Sequence, residues 1–161
     1  MWIENIGAAD CQQGFHYDCG ENSMLIQISD PDSKDCELYT TAWFPEPHHK
    51  FKEVHQFMFL DIEGDSPHAE KWGCTDAHAA ELVRLLQHAL DTRMNVVVHC
   101  FAGICRSGAV VEVGVMMGFI PTERGRIPNT RVKTKMMKVL GLTYDSAPNV
   151  EPSPMPRIYF E

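Results

Sequence analysis

Apolar residues in this chain fall into stretches of distinct period, and each stretch ends on turn chemistry. Met24 to Ser29 alternates and stops at Asp30-Pro31, a strand running into a turn. Glu53 to Ile62 carries Val54, Phe57, Met58, Phe59, Leu60 and Ile62 and reads as a second, buried strand. Glu63-Gly64-Asp65-Ser66-Pro67 closes it, a loop by composition. Behind Thr75 or Asp76 as cap, Ala79, Leu82, Val83, Leu86 and Leu90 recur at helical spacing. That helix feeds a third strand, Met94 to Val98. A strand reached through a helical crossover belongs to a sheet with parallel strands under helices. Gly108 to Gly118 is apolar on most sides and predicts a buried helix. Pro128-Asn129 opens a last helix through Lys138, stopped by Gly141. The expectation is a single α/β domain over residues 1–145, with a central, mostly parallel sheet flanked by helices. Residues 94–118 form its strand–loop–helix unit. From Ser146 onward Pro148, Pro152, Pro154 and Pro156 exclude a helix, so residues 146–161 read as a proline-rich C-terminal arm.

Composition narrows the function classes. The chain has 161 residues, enough for one domain with its own core, and its 44% hydrophobic and 22% charged content is ordinary for a globular protein. A formal net charge of -8 argues against a nucleic-acid-binding surface or an anchor on anionic membranes, while allowing a locally positive pocket. No run approaches the roughly 20 apolar residues of a membrane span. Met1-Trp2-Ile3-Glu4-Asn5 lacks the basic-then-apolar pattern of a signal peptide, so the cytoplasm is the expected location. Its six cysteines are then expected as reduced thiols. Their spacings form no paired C-x2-C arrangement, and His48-His49 reads as solvated loop, so neither a metal nor a cofactor is expected.

The chemistry concentrates in His99-Cys100-Phe101-Ala102-Gly103-Ile104-Cys105-Arg106-Ser107. A cysteine at a strand end, facing a helix N-terminus, sits where anions bind and where thiolates form. The residues between Cys100 and Arg106 can curl so that the amides of Phe101, Ala102, Gly103, Ile104 and Cys105 converge on a tetrahedral dianion. Arg106 adds a planar fork for two phosphate oxygens, and Gly103 permits the backbone its close approach. Cysteine and arginine six apart mean little alone. The preceding histidine, the β-branched strand, the internal glycine, the following serine and the apolar helix give the pattern its specificity.

With those features the segment resembles the loop of the cysteine-dependent protein tyrosine phosphatases, which reads His-Cys, five residues, Arg-Ser/Thr. The ending Ile-Cys-Arg-Ser also resembles the low-molecular-weight phosphatases, whose loop lies near the N-terminus; here it begins near residue 100. Its position, and Pro128-Asn129 before an apolar helix, resemble the dual-specificity branch. The interval from Ser107 to Pro128 is short for that group, so one of its helices is expected to be missing. The likeness is greatest to compact bacterial and phage-type phosphatases, through Ile28 to Pro31, Phe59-Leu60-Asp61-Ile62 and residues 99–107.

The resemblance implies Cys100 as nucleophile, a phosphocysteine intermediate, Ser107 as the hydroxyl that stabilises the departing sulfur, and His99 as a buried residue that orders the loop and helps to activate the thiol. A satisfied core histidine is the alternative for His99. The general acid should lie upstream. Asp61 is preferred for its apolar-x-Asp setting, Asp65 is the alternative for its loop chemistry, and Glu63 and Asp76 are further candidates, with a turn role open to Asp65 and a cap role to Asp76. Cys105 is a candidate redox partner of Cys100 or a buried thiol. Trp43, Phe44, His48 and His49 either rim the pocket or belong to loop. The expected activity is hydrolysis of phosphotyrosine, with phosphoserine and phosphothreonine as further protein substrates, and the oligomeric state stays open. The rivals are a phosphoprotein-binding pseudophosphatase and a phosphatase of a nucleotide, RNA 5′ end or phosphoinositide.

Overall fold

The structure, a computed structural model, describes residues 1–36 and 40–143. Its elements run β1 (Trp2–Gly7), α1 (Ala8–Gln13), β2 (Ser23–Ser29), β3 (Glu53–Met58), α2 (Pro67–Trp72), α3 (Asp76–Asp91), β4 (Asn95–Cys100), α4 (Arg106–Met117), β5 (Ile120–Pro121) and α5 (Thr130–Val139). The five strands form one sheet in the order β3-β2-β4-β1-β5, and every pairing is parallel. β4 lies at its centre, with Val97 opposite Glu4 of β1 on one side and Leu25 of β2 on the other.

Burial on both faces explains the apolar runs. All seven residues of β2 and Val96, Val97 and Val98 of β4 are buried, as parallel strands covered on two sides must be. Helices α3, α4 and α5 pack on one face around Leu82, Leu86, Val110 and Met136. The other face is covered through α1 and the segment at Phe51, around Ile6, Cys11, Leu25 and Val97. Among the described residues no helix is long and apolar enough to cross a membrane.

The helix ends follow the expected chemistry. Thr75 caps α3 by accepting from the His78 amide at 3.1 Å, and His78 answers the Thr75 amide. Asn129 caps α5 by accepting from the Val132 amide at 3.0 Å. α4 begins at Arg106, two residues earlier than its apolar pattern suggests, because the loop residues lead straight into the first turn.

Three local expectations change. β1 was not legible, because buried Glu4 and Asn5 break its apolar pattern. Its polar groups find partners in tertiary structure: the Glu4 carboxylate accepts from Arg124 Nε at 2.9 Å, the Thr122 hydroxyl at 3.2 Å and the Tyr17 amide at 3.0 Å. The strand expected to reach Ile62 stops at Met58, and the Leu60 amide turns to the Trp72 carbonyl at 2.7 Å. The loop expected over Glu63 to Pro67 leads into α2, for which no element was expected, started by Pro67 at its first position and by the Ser66 hydroxyl accepting from the Ala69 amide. The proline-rich arm, like the domain limit proposed at residue 145, lies outside the described residues.

Candidate active site

β4 delivers Cys100 to the carboxyl end of the sheet, the side on which open parallel sheets bind ligands. Residues 101–105 then curl into α4, whose first-turn amides lack intrahelical partners. Cys100 is 2% exposed, and its sulfur accepts from the Gly103 amide at 3.2 Å and lies 3.2 Å from the Ser107 hydroxyl. Gly103 has φ 78, and a Cβ there would stand 2.2 Å from the Gly7 nitrogen and the Ile6 carbonyl carbon, so only glycine fits. β1 supplies the floor. Asn5 Nδ2 donates to the Gly103 carbonyl at 2.7 Å and to the Gly125 carbonyl at 3.0 Å, and the Ala8 amide donates to the Phe101 carbonyl at 3.2 Å.

Arg106 is 5% exposed and held along one side only. Its Nη1 donates to Asp30 Oδ1 at 2.7 Å and to the Phe59 carbonyl at 2.8 Å, while its buried Nε has no hydrogen-bond partner. A buried donor without an acceptor costs about 1–3 kcal/mol, more for a charged group. Such a donor marks where an anion belongs, and a guanidinium gripped at Nη1 leaves its Nε side for the bidentate geometry that phosphate prefers.

His99 is fully buried, and neither ring nitrogen has a hydrogen-bond partner. Its pKa is lowered to about 4, first by burial and then by the charge of Arg106, with the Cys100 backbone opposing the shift. The ring is therefore neutral near neutral pH. Any help it gives to the thiol does not come from a positive charge.

The two acid candidates separate in space. Asp61 is exposed, and its Oδ1 accepts from Asn129 Nδ2 at 2.7 Å. Asn129 ties it to the loop through its amide to the Cys105 carbonyl at 2.9 Å, and Cys105 is pushed up to about 11, first by burial and then by the Asp61 charge. Asp65 instead pairs with Arg131 Nη1 at 3.2 Å, has a side chain 93% exposed, and lines a cavity with Thr130, Lys135 and Lys138. Glu63 accepts from the Thr130 amide at 2.9 Å, and Asp76 pairs with Lys135 at 2.9 Å. Cys100 and Cys105 are both free thiols.

The aromatic candidates also divide. The Trp43 amide donates to the Ser29 hydroxyl at 2.7 Å, which sets its ring 6.0 Å from that of Phe101. Phe101 is 71% exposed, and the two rings flank a cavity of about 300 Å³ that includes Asp30 and Thr41. Phe44, His48 and His49 line a different cavity of about 520 Å³ with Gln27 and Val54. Sequence reasoning missed Asn5 and Asp30 as site residues and read Asn129 only as a helix opening. The one signal for Asp30 was its place at a strand end, which becomes meaningful only when β2 is known to adjoin β4.

No protein-family model and no curated protein matches the chain. Among solved structures it is similar to OH1 from the Orf virus, described as a tyrosine phosphatase with triple substrate specificity. The two are 21% identical over 72% of this chain and 56% of the viral one, with a TM-score of 0.43. This chain thus spans little more than half the length of OH1. It is also similar to Tk-PTP, solved in its active form, at 14% identity over 93% of this chain and 84% of that one, with a TM-score of 0.40.

Proposed function

We propose that the chain is a cysteine-dependent phosphomonoester hydrolase acting on phosphotyrosine in proteins, with phosphoserine and phosphothreonine as poorer substrates. The observation that carries this reading is Arg106, gripped at Nη1 by Asp30 and Phe59 and left with an unpartnered buried Nε beside the Cys100 loop. The dianion binds to the loop amides and Arg106, which hold its charge as the transition state forms. Cys100 Sγ then attacks phosphorus, the S–P bond forms, and the P–O bond to the leaving group breaks as Asp61 gives that oxygen its proton. In the second step water attacks phosphorus and Asp61 takes its proton. The S–P bond breaks, and the Ser107 hydroxyl donates to the departing sulfur.

Trp43 and Phe101 support an aromatic leaving group, because two exposed rings beside the loop offer apolar faces that an alkyl phosphate leaves uncovered. Six free cysteines suit the cytoplasm, and residues 1–145 serve as the catalytic domain in this reading.

Hydrolysis of para-nitrophenyl phosphate in EDTA tests the proposal. The parent should turn over, and Cys100→Ser should lose activity to background; equal turnover by the two refutes the mechanism. Phosphopeptide binding at micromolar concentration without turnover by the parent would identify a binding module instead. Turnover of nucleotide, RNA 5′-end or phosphoinositide phosphates in preference to phosphotyrosine peptides would move the substrate outside proteins.

A further inference from the structure

The start of α5 grips the acid-bearing segment residue by residue. Asn129 Nδ2 donates to Asp61 Oδ1 at 2.7 Å and to the Ile62 carbonyl at 3.2 Å, the Thr130 amide donates to Glu63 Oε1 at 2.9 Å, and Arg131 Nη1 donates to the Gly64 carbonyl at 2.6 Å. Three consecutive residues therefore pin residues 61–64. Of the three, Asn129 also reaches the candidate catalytic loop, through its amide to the Cys105 carbonyl at 2.9 Å. It is 1% exposed.

The orientation of its side-chain amide is determined chemically. The Val132 amide is a donor and lies 3.0 Å from Asn129 Oδ1, so that atom must be the oxygen and the NH2 group must face Asp61. An NH2 group only donates. With Oδ1 of Asp61 occupied by that donor, the carboxyl proton resides on Oδ2.

We propose that Asn129 is a positioning residue that holds Asp61 against the loop with its proton on Oδ2, ready for the leaving-group oxygen. The inference rests on the phosphatase reading above and on Asp61 as its acid. It accounts for why an exposed aspartate at the end of an irregular segment can be held ready for proton transfer. It also ties the height of Asp61 over the loop to the first turn of α4, because Asn129 contacts both.

Leaving-group dependence separates positioning from mere structure. A departing para-nitrophenolate needs little protonation, whereas phenolate needs more, so loss of the acid is felt chiefly on phenyl phosphate. Three variants are compared with the parent on both substrates: Asp61→Asn, Asn129→Ser and the double variant. Serine caps a helix about as well as asparagine but lacks the NH2 group. Asp61→Asn should lower kcat/KM, which reports the step that expels the leaving group, by about 10²–10⁴-fold on phenyl phosphate and far less on para-nitrophenyl phosphate. Asn129→Ser should lower kcat/KM on phenyl phosphate about tenfold or more and stay within about twofold on the nitrophenyl ester. The double variant should be no slower than Asp61→Asn alone, since both act through one proton.

Equal loss on the two substrates, no loss on either, or additive losses in the double variant would overturn the proposal. If Asn129→Ser fails to fold, Asn129→Asp keeps the cap and sets a carboxylate against Asp61, and the same selective loss is expected. Should Asp61→Asn show the leaving-group dependence of the parent, the acid assignment falls and the role of Asn129 with it. Cys100→Ser tests the phosphatase reading separately.

Discussion

At the scale of single residues, the site is organised by which polar atoms are satisfied and which are not. Arg106 spends Nη1 on Asp30 and Phe59 and keeps Nε unpartnered, whereas His99 leaves both ring nitrogens unpartnered in a wholly buried position. For Arg106 the arrangement suits the anion of the proposed reaction. For His99 it makes stability depend on pH. An unfolded chain takes up a proton near the ordinary histidine value of about 6.5, while folded His99 refuses it down to about 4. Between those values the unfolded state holds the extra proton, so stability falls as pH falls, by up to about 1.4 kcal/mol per pH unit. Urea midpoints measured from pH 7 to pH 4.5 should therefore decline, and His99→Leu should flatten the decline. An equal slope in parent and variant would show that other groups govern the acid response.

Among elements, β1 and the start of α5 each hold part of the site from outside the loop. β1 places Asn5 beneath Gly103, where its NH2 group satisfies two buried carbonyls from segments far apart in sequence. Asn5→Leu keeps the branched shape but strands both acceptors, at a cost of about 1–3 kcal/mol each where they are buried. Denaturant melts should show the loss of stability, and turnover of para-nitrophenyl phosphate should fall because the floor of the loop is gone. Retention of full activity in a destabilised Asn5→Leu protein would mean that the loop holds its shape without β1. The capping of α5 was legible, since Pro-Asn before a helical pattern is local chemistry. That the same Asn129 reaches Asp61 was not, because the contact spans 68 residues of sequence.

For the whole molecule, burial sorts six free thiols into classes. Cys11 and Cys74 are pushed up to about 12 by burial above all, and Cys105 to about 11. If Cys100 is the nucleophile proposed above, iodoacetamide at neutral pH should label it first and spare Cys11 and Cys74 until the protein is unfolded, as read by peptide mass spectrometry. Phosphate should protect Cys100 alone. Labelling of Cys11 or Cys74 in the folded protein at the rate of Cys100 would contradict this ordering.

By itself the sequence determined whatever depends on neighbours along the chain. The strand at Val96–Val98, the curl of residues 101–105, the helix after it and the caps of α3 and α5 all follow from period, glycine and capping chemistry within a few residues. The candidate nucleophile, phosphate clamp and serine were therefore readable together. Tertiary structure decided what must come from elsewhere. The order β3-β2-β4-β1-β5 brings Asp30 to Arg106 and Asn5 to Gly103, and packing of α5 separates Asp61 at the loop from Asp65 at Arg131. β1 stayed hidden for the same reason: Glu4 and Asn5 look wrong in a strand until the distant partners of the Glu4 carboxylate and of Asn5 Nδ2 are in place.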